Sequence, residues 1–165
     1  SAPWPPLGVG MKLMLLAAVM ALSLGAGAAQ ARPIPEAGLT VEELLAFMQG
    51  AGFEAKIAKT DAGEPYVATA KDGVNFELDL YDCKDRRCRA VQFVASFDLK
   101  DPLSAAKANA WNLKKRYIRV YLDQAGDPVF AYDANLAPGG AYEALQDDLD
   151  VFVQFFPEML EHIGW

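Results

Sequence analysis

The chain is 165 residues long, 53% hydrophobic and 22% charged, which places it with ordinary folded domains and excludes a disordered tail or a fibrous repeat. Its 22 acidic side chains outnumber 15 basic ones, for a formal charge of -7. Nucleic-acid affinity comes mainly from clustered Lys and Arg that neutralise phosphates, so this balance argues against DNA or RNA as a partner.

Residues 1-10 carry no charge and do not begin with Met. They read as an upstream in-frame read or a cloning residue and are left out of the fold. Met11-Lys12 then opens residues 11-31. The uncharged run Leu13 to Ala28 and the tripeptide Ala29-Gln30-Ala31 supply the positive start, short apolar core and small residues two apart that signal peptidase reads. Cleavage is expected after Ala31. An uncleaved anchor is the alternative, but crossing a bilayer takes about 20 apolar residues, and this run is shorter and holds Gly25 and Gly27. A lipid anchor is disfavoured, because the cysteines, Cys83 and Cys88, are far from the cut. Cleavage removes Lys12 and no acid, leaving 14 basic and 22 acidic side chains on 134 residues, a charge of -8. The product is expected to be soluble, and periplasmic or secreted, with no membrane insertion. That length buries a single core without metal staples.

Residues 32-38, with Pro33 and Pro35, form an extended lead-in to one domain over residues 39-165. Thr40 and Glu43 sit at capping-box spacing ahead of Leu44, Leu45, Phe47 and Met48, which predicts a helix ended by Gly50 and Gly52. Phe53 to Thr60 alternates apolar and charged residues as a strand with one wet face does. Pro65 to Lys71 and Val74 to Asp82 are joined by Asp72-Gly73, a tight hairpin signal. A further strand spans Arg89 to Asp98, and strands in succession joined by short turns predict an antiparallel meander.

Asp101-Pro102 reads as a helix start, Asp capping and Pro in the first turn, with the helix running to about Arg116. Tyr117 to Leu122 and Val129 to Asp133 form a second hairpin across Gly126. After Pro138-Gly139-Gly140 a single last helix is expected from Ala141 to His162. The predicted order is α-β-β-β-β-α-β-β-α, an α+β fold with helices packed on an antiparallel sheet.

Cys83 and Cys88 flank a turn between adjacent strands, and in an exported protein two cysteines so placed are expected to be oxidised to a structural disulfide. Thiol exchange and metal ligation are the alternatives. Zinc is disfavoured, since a closed site wants four ligands and His162, the one imidazole, is far away in sequence. No metal and no cofactor is expected. The catalytic palette of the mature part is thin: Ser occurs only at Ser96 and Ser104, and His only at His162. Asp79, Asp82 and Asp98 lie on predicted strands, where solvated-face roles outweigh a paired-carboxylate hydrolase. Asp147, Asp148 and Asp150 form an acidic run early in the last helix. Trp111 reads first as core and second as the wall of a ligand pocket. Val151 to Phe156 is apolar on nearly every side of its helix, so Val151, Phe152, Phe155 and Phe156 are the expected partner-binding surface.

From about Leu39 to His162 the sequence resembles the YbjN domain family, named as bacterial sensory transduction regulators. The resemblance lies in the Tyr81-Asp82-Cys83 and Cys88 hairpin with its following strand Ala90 to Phe97, the Asn109-Ala110-Trp111-Asn112 helix, the hairpin around Gly126, and Gly139-Gly140 before the final helix. It implies a fold similar to type III secretion chaperones and a non-enzymatic role in protein binding or regulation. The expectation is therefore an exported domain that engages a protein partner or a second copy of itself. A small-ligand binder or weak hydrolase with a pocket between sheet and helices is the alternative.

Overall fold

Thr40 opens the first helix as its spacing predicts. In the computed structural model, which describes residues 30-165, the Thr40 hydroxyl accepts the Glu43 N–H at 3.2 Å. The Glu43 carboxylate in turn accepts the Thr40 N–H at 3.0 Å, so two orphan donors are satisfied reciprocally. Helix α1 (Val41–Gly50) buries Val41, Leu44 and Met48, one stripe at helical spacing. The expected leader, apart from Gln30 and Ala31, and the ten residues before it lie outside the described residues. Among the described residues no helix is long and apolar enough to cross a membrane.

The lead-in is stitched down at its first residue. The Arg32 N–H donates to Glu143 Oε2 at 2.7 Å, and its guanidinium bonds Glu143 Oε1 at 2.9 Å. The Arg32 carbonyl accepts the Tyr142 N–H at 2.9 Å, and Ile34 N–H donates to the Gly140 carbonyl at 2.8 Å.

Six strands follow: β1 (Lys56–Lys59), β2 (Pro65–Lys71), β3 (Val74–Lys84), β4 (Arg87–Ser96), β5 (Arg119–Leu122) and β6 (Pro128–Asn135). They form one antiparallel sheet in the order β1-β2-β3-β4-β6-β5. The β2–β3 turn takes Asp72 and Gly73 at φ 51° and 81°, the positive angles that let a two-residue hairpin follow the twist of its strands. Register sets the faces. Leu78 lies opposite Phe93 and Ala95 opposite Phe130, so Phe76, Leu78, Phe93 and Phe130 share one side.

Helices cover that side. α3 (Tyr142–Gln154) and α4 (Phe156–Ile163) bury Leu145, Leu149, Phe152, Phe156, Met159 and Ile163 there. The Phe76 ring meets Phe152 and Phe156 at 5.8 and 5.3 Å between centroids, and Phe93 meets Phe152 at 5.6 Å. α2 (Ala105–Lys114) brings Trp111 to 4.9 Å from Phe130. Each fully buried ring of this kind contributes about 1.5–3 kcal/mol through removal from water. The α+β class and the antiparallel sheet with helices stand as expected.

Four local expectations are corrected. The last helix is two helices, because Pro157 has no N–H to give to the turn before it. The chain breaks at Phe155, and Pro157 sits in the first turn of α4. Helix α2 starts later than Asp101-Pro102. Leu103 is needed as a core plug and its N–H bonds the Gly126 carbonyl at 3.0 Å, so the cap passes to Ser104, whose hydroxyl accepts the Lys107 N–H at 3.1 Å. Strand β1 is only Lys56–Lys59, and β3 runs two residues past its expected end.

Candidate functional site

The length of β3 makes the site. Its pairing with β2 ends at Val67 opposite Leu78, while its pairing with β4 continues to Lys84 opposite Arg87. Leu80 to Lys84 therefore has a strand on one side and none on the other. The β3–β4 hairpin projects past the β1–β2 hairpin, leaving a notch between its free edge and the Thr60 to Glu64 turn. This notch encloses a cavity of about 750 Å³ bordered by Val41, Ile57, Tyr66, Glu77, Leu80 and Tyr81, among others.

The projecting arm is held rigid in four ways. Cys83 and Cys88 face each other across the two strands, 4.0 Å apart at Cα, and are joined by a disulfide. The Cys88 N–H and C=O both bond the Leu39 backbone, at 2.8 and 2.9 Å. That leaves Cys88 and Cys83 in a non-hydrogen-bonded pair, the spacing in an antiparallel ladder at which the two side chains come closest. Arg87 forks onto the capping carboxylate of Glu43 at 2.9 and 3.1 Å and also reaches the Gly38 carbonyl at 2.7 Å. Arg86 pairs with Glu42 at 2.7 Å, an exposed contact that adds little.

The electrostatics of the notch follow from burial. Glu77 and Asp79 project from the face of β3 away from the helices, half-buried, and neither has a hydrogen-bond or ion-pair partner among the described residues. Burial, then the neighbouring Asp79 charge, pushes the Glu77 carboxyl above its ordinary range. Burial alone raises Asp79. Beside them Tyr81 is 50% exposed. Further along the same face Asp133 is engaged by Gln92 at 2.6 Å and by Arg119.

The other expected site residues lie elsewhere. Phe152 and Phe156 are 0% and 2% exposed, sealed against Phe76 and Phe93, so the expected partner surface of Val151, Phe152, Phe155 and Phe156 is corrected. The helix break turns its two central rings into the core, leaving Val151 and Phe155 half-buried, with Phe155 against Trp111. Trp111 is 1% exposed, its indole N–H donates to the Ile118 carbonyl at 2.8 Å, and it borders none of the four cavities described. It is a core residue, as first read. His162 Nε2 lies 2.8 Å from the Lys107 carbonyl, tying α4 to α2. Asp148 accepts the Tyr132 hydroxyl at 2.6 Å, and Asp82 and Asp98 are exposed.

Sequence reading missed Glu77, Arg87 and Asn112. The Thr40 capping box that holds Glu43 in place was visible, but its link to Arg87, 44 residues away, was not. No curated protein and no solved structure matches the chain, so the likeness to type III secretion chaperones rests on the family resemblance alone. Residues 40–163, which include α1, the disulfide-closed arm and the whole sheet, match the family described as "Putative bacterial sensory transduction regulator", and the chain belongs to this YbjN family.

Proposed function

We propose that this chain is an exported, non-enzymatic protein-binding and regulatory domain of the YbjN type, acting in the periplasm or beyond it. The observation that carries this reading is the projecting β3–β4 arm. A strand edge with unused backbone donors and acceptors is a template for another chain, and here it is braced by a disulfide, two backbone hydrogen bonds and an Arg–Glu fork. Rigidity of this kind limits the ordering that binding would otherwise require. The disulfide supports an oxidising compartment. The commitments of Ser104 to the Lys107 N–H and of His162 to the Lys107 carbonyl support a role without turnover.

The test combines localisation with cross-linking. The chain is expressed in its bacterial host with its natural leader, cross-linked in intact cells and recovered from periplasmic, cytosolic and culture fractions. The expected result is a product that starts at Arg32, found outside the cytosol and cross-linked to a defined protein. A chain that stays in the cytosol with its leader intact overturns the export reading. A chain that never acquires a protein cross-link overturns the binding reading.

A further inference from the structure

The geometry points to the free edge of β3, Leu80 to Lys84, as the docking site of an extended partner segment that carries lysine or arginine, added as a strand with its basic side chain set between Glu77 and Asp79. This rests on the protein-binding reading above and names the surface and the chemistry of the partner.

The two outer strands of the sheet are closed to a newcomer. Outside β5, the Asn112 side chain already bonds both the N–H and the C=O of Val120 at 2.9 Å. The outer strand β1 is four residues long and carries Lys56 and Lys59, the short charged edge that deters pairing. The edge at Leu80 to Lys84 carries Asp82, at φ 54°, and Lys84, but among the described residues no side chain bonds its outer backbone groups as Asn112 does at β5. A strand laid there enters the 750 Å³ notch, which Ile57 and Leu80 border on one face and Tyr81 on the other.

Charge selects the occupant. Arg86 is taken by Glu42, so the notch presents Glu64, Glu77 and Asp79 against the single ammonium of Lys59. Two of these carboxylates are half-buried without a partner among the described residues, and an anion so placed gains most from a charge-assisted hydrogen bond. An acidic segment would meet repulsion on the same ground. A basic strand satisfies the backbone edge and the carboxylates together.

The probe is a blocked ten-residue peptide alternating lysine and valine, with a counterpart in which glutamate replaces lysine. Binding to the full chain is measured by NMR titration and by amide exchange, at low and high salt. The expected outcome is binding of the lysine peptide only, weakening with salt, with new amide protection confined to Leu80–Lys84. Glu77→Gln with Asp79→Asn weakens it by about tenfold, and the exposed-site variant Tyr81→Ala reports on the same notch if the charge variant folds poorly. No binding by the lysine peptide overturns the proposal, as do equal binding by the glutamate peptide, protection at β1 or β5, or a homodimer that protects this edge. Cross-linking of wild type and charge variant to the same partner with equal yield also overturns it, while leaving the protein-binding reading intact. Absence of any partner for either overturns that reading instead.

Discussion

The Asn112 side chain pairs with the backbone of Val120 as a neighbouring strand would, Oδ1 accepting its N–H and Nδ2 donating to its C=O, both at 2.9 Å. One amide thus ends the sheet at β5. Asn112→Ala removes both bonds and leaves two half-buried backbone groups without partners, a loss of about 2 kcal/mol. Urea unfolding should show the lowered midpoint. Because the β5 edge is then open, the variant should also self-associate in light scattering where the wild type does not. A monomeric Asn112→Ala would show that α2 itself, not the amide, protects this edge.

The Cys83–Cys88 bridge closes a short loop, so its effect on the unfolded chain is modest. Cys83→Ser should lower unfolding stability by about 2 kcal/mol. Thiol titration of the purified oxidised protein should find no free sulfhydryl before reduction and two after it. Reduction should also speed amide exchange in the hairpin tip more than in the core around Phe93.

Residues 151 to 156 separate packing from surface. Phe152→Ala removes a ring that touches Phe76, Phe93 and Phe156 and should destabilise by about 3–5 kcal/mol. Val151→Ser, at a half-buried position, should cost less than about 1 kcal/mol. Partner capture should fall with Phe152→Ala only in proportion to the unfolded fraction, which circular dichroism measures in the same samples.

Glu77 and Asp79 set a pH dependence whose sign is opposite to that of a salt-bridged carboxylate. Their folded values lie above the ordinary 4.5 and 3.8, so the folded state holds these protons more tightly than the unfolded chain does. The resulting stabilisation is complete below the ordinary values and is lost as pH rises through the raised ones. Glu43 runs the other way: hydrogen bonding from Thr40, then from Arg87, lowers it, so its stabilisation is present above 4.5 and lost as pH falls through its depressed value. The difference between wild type and Glu77→Gln with Asp79→Asn isolates the first pair. The variant should be the more stable at neutral pH, and its advantage should vanish by about pH 4.

Gly38 sits at φ 86°, and a Cβ there would lie 1.8 Å from the Cys88 carbonyl oxygen. Gly38→Ala combines left-handed strain with a backbone clash and should cost at least about 3 kcal/mol. The Leu39–Cys88 bridge should open with it, seen as faster exchange of the Cys88 amide than in Cys83→Ser.

Much of the architecture could be read from local signals. Thr40 with Glu43 marked α1, Asp72-Gly73 marked the β2–β3 turn, and the alternation in β3 and β4 marked which residues face the core. Errors arose where one local signal overrode another. Asp101-Pro102 reads as a cap as well as Ser104 does, and only the burial of Leu103 decides between them. The apolar run Val151 to Phe156 reads as two-sided on one continuous helix, and the break at Phe155 ahead of Pro157 divides it between two. The notch was not legible, since it arises from a mismatch in strand ends: β2 pairs with β3 only as far as Leu78, while β4 pairs with it to Lys84. Spacing along one segment does not encode that offset. Nor does it show that Glu77 and Asp79 are half-buried, because the neighbours that shield them come from other strands.

Arg32 gives its backbone N–H and its guanidinium to the two oxygens of one carboxylate, Glu143. Under the proposed cleavage after Ala31, that amide nitrogen would become an ammonium, and the acid at the start of α3 would face two cations in place of one. Processing would then act as a final fastening step, adding a free α-amino group where an acceptor is already in position and tightening the newly exposed terminus onto the body of the mature protein.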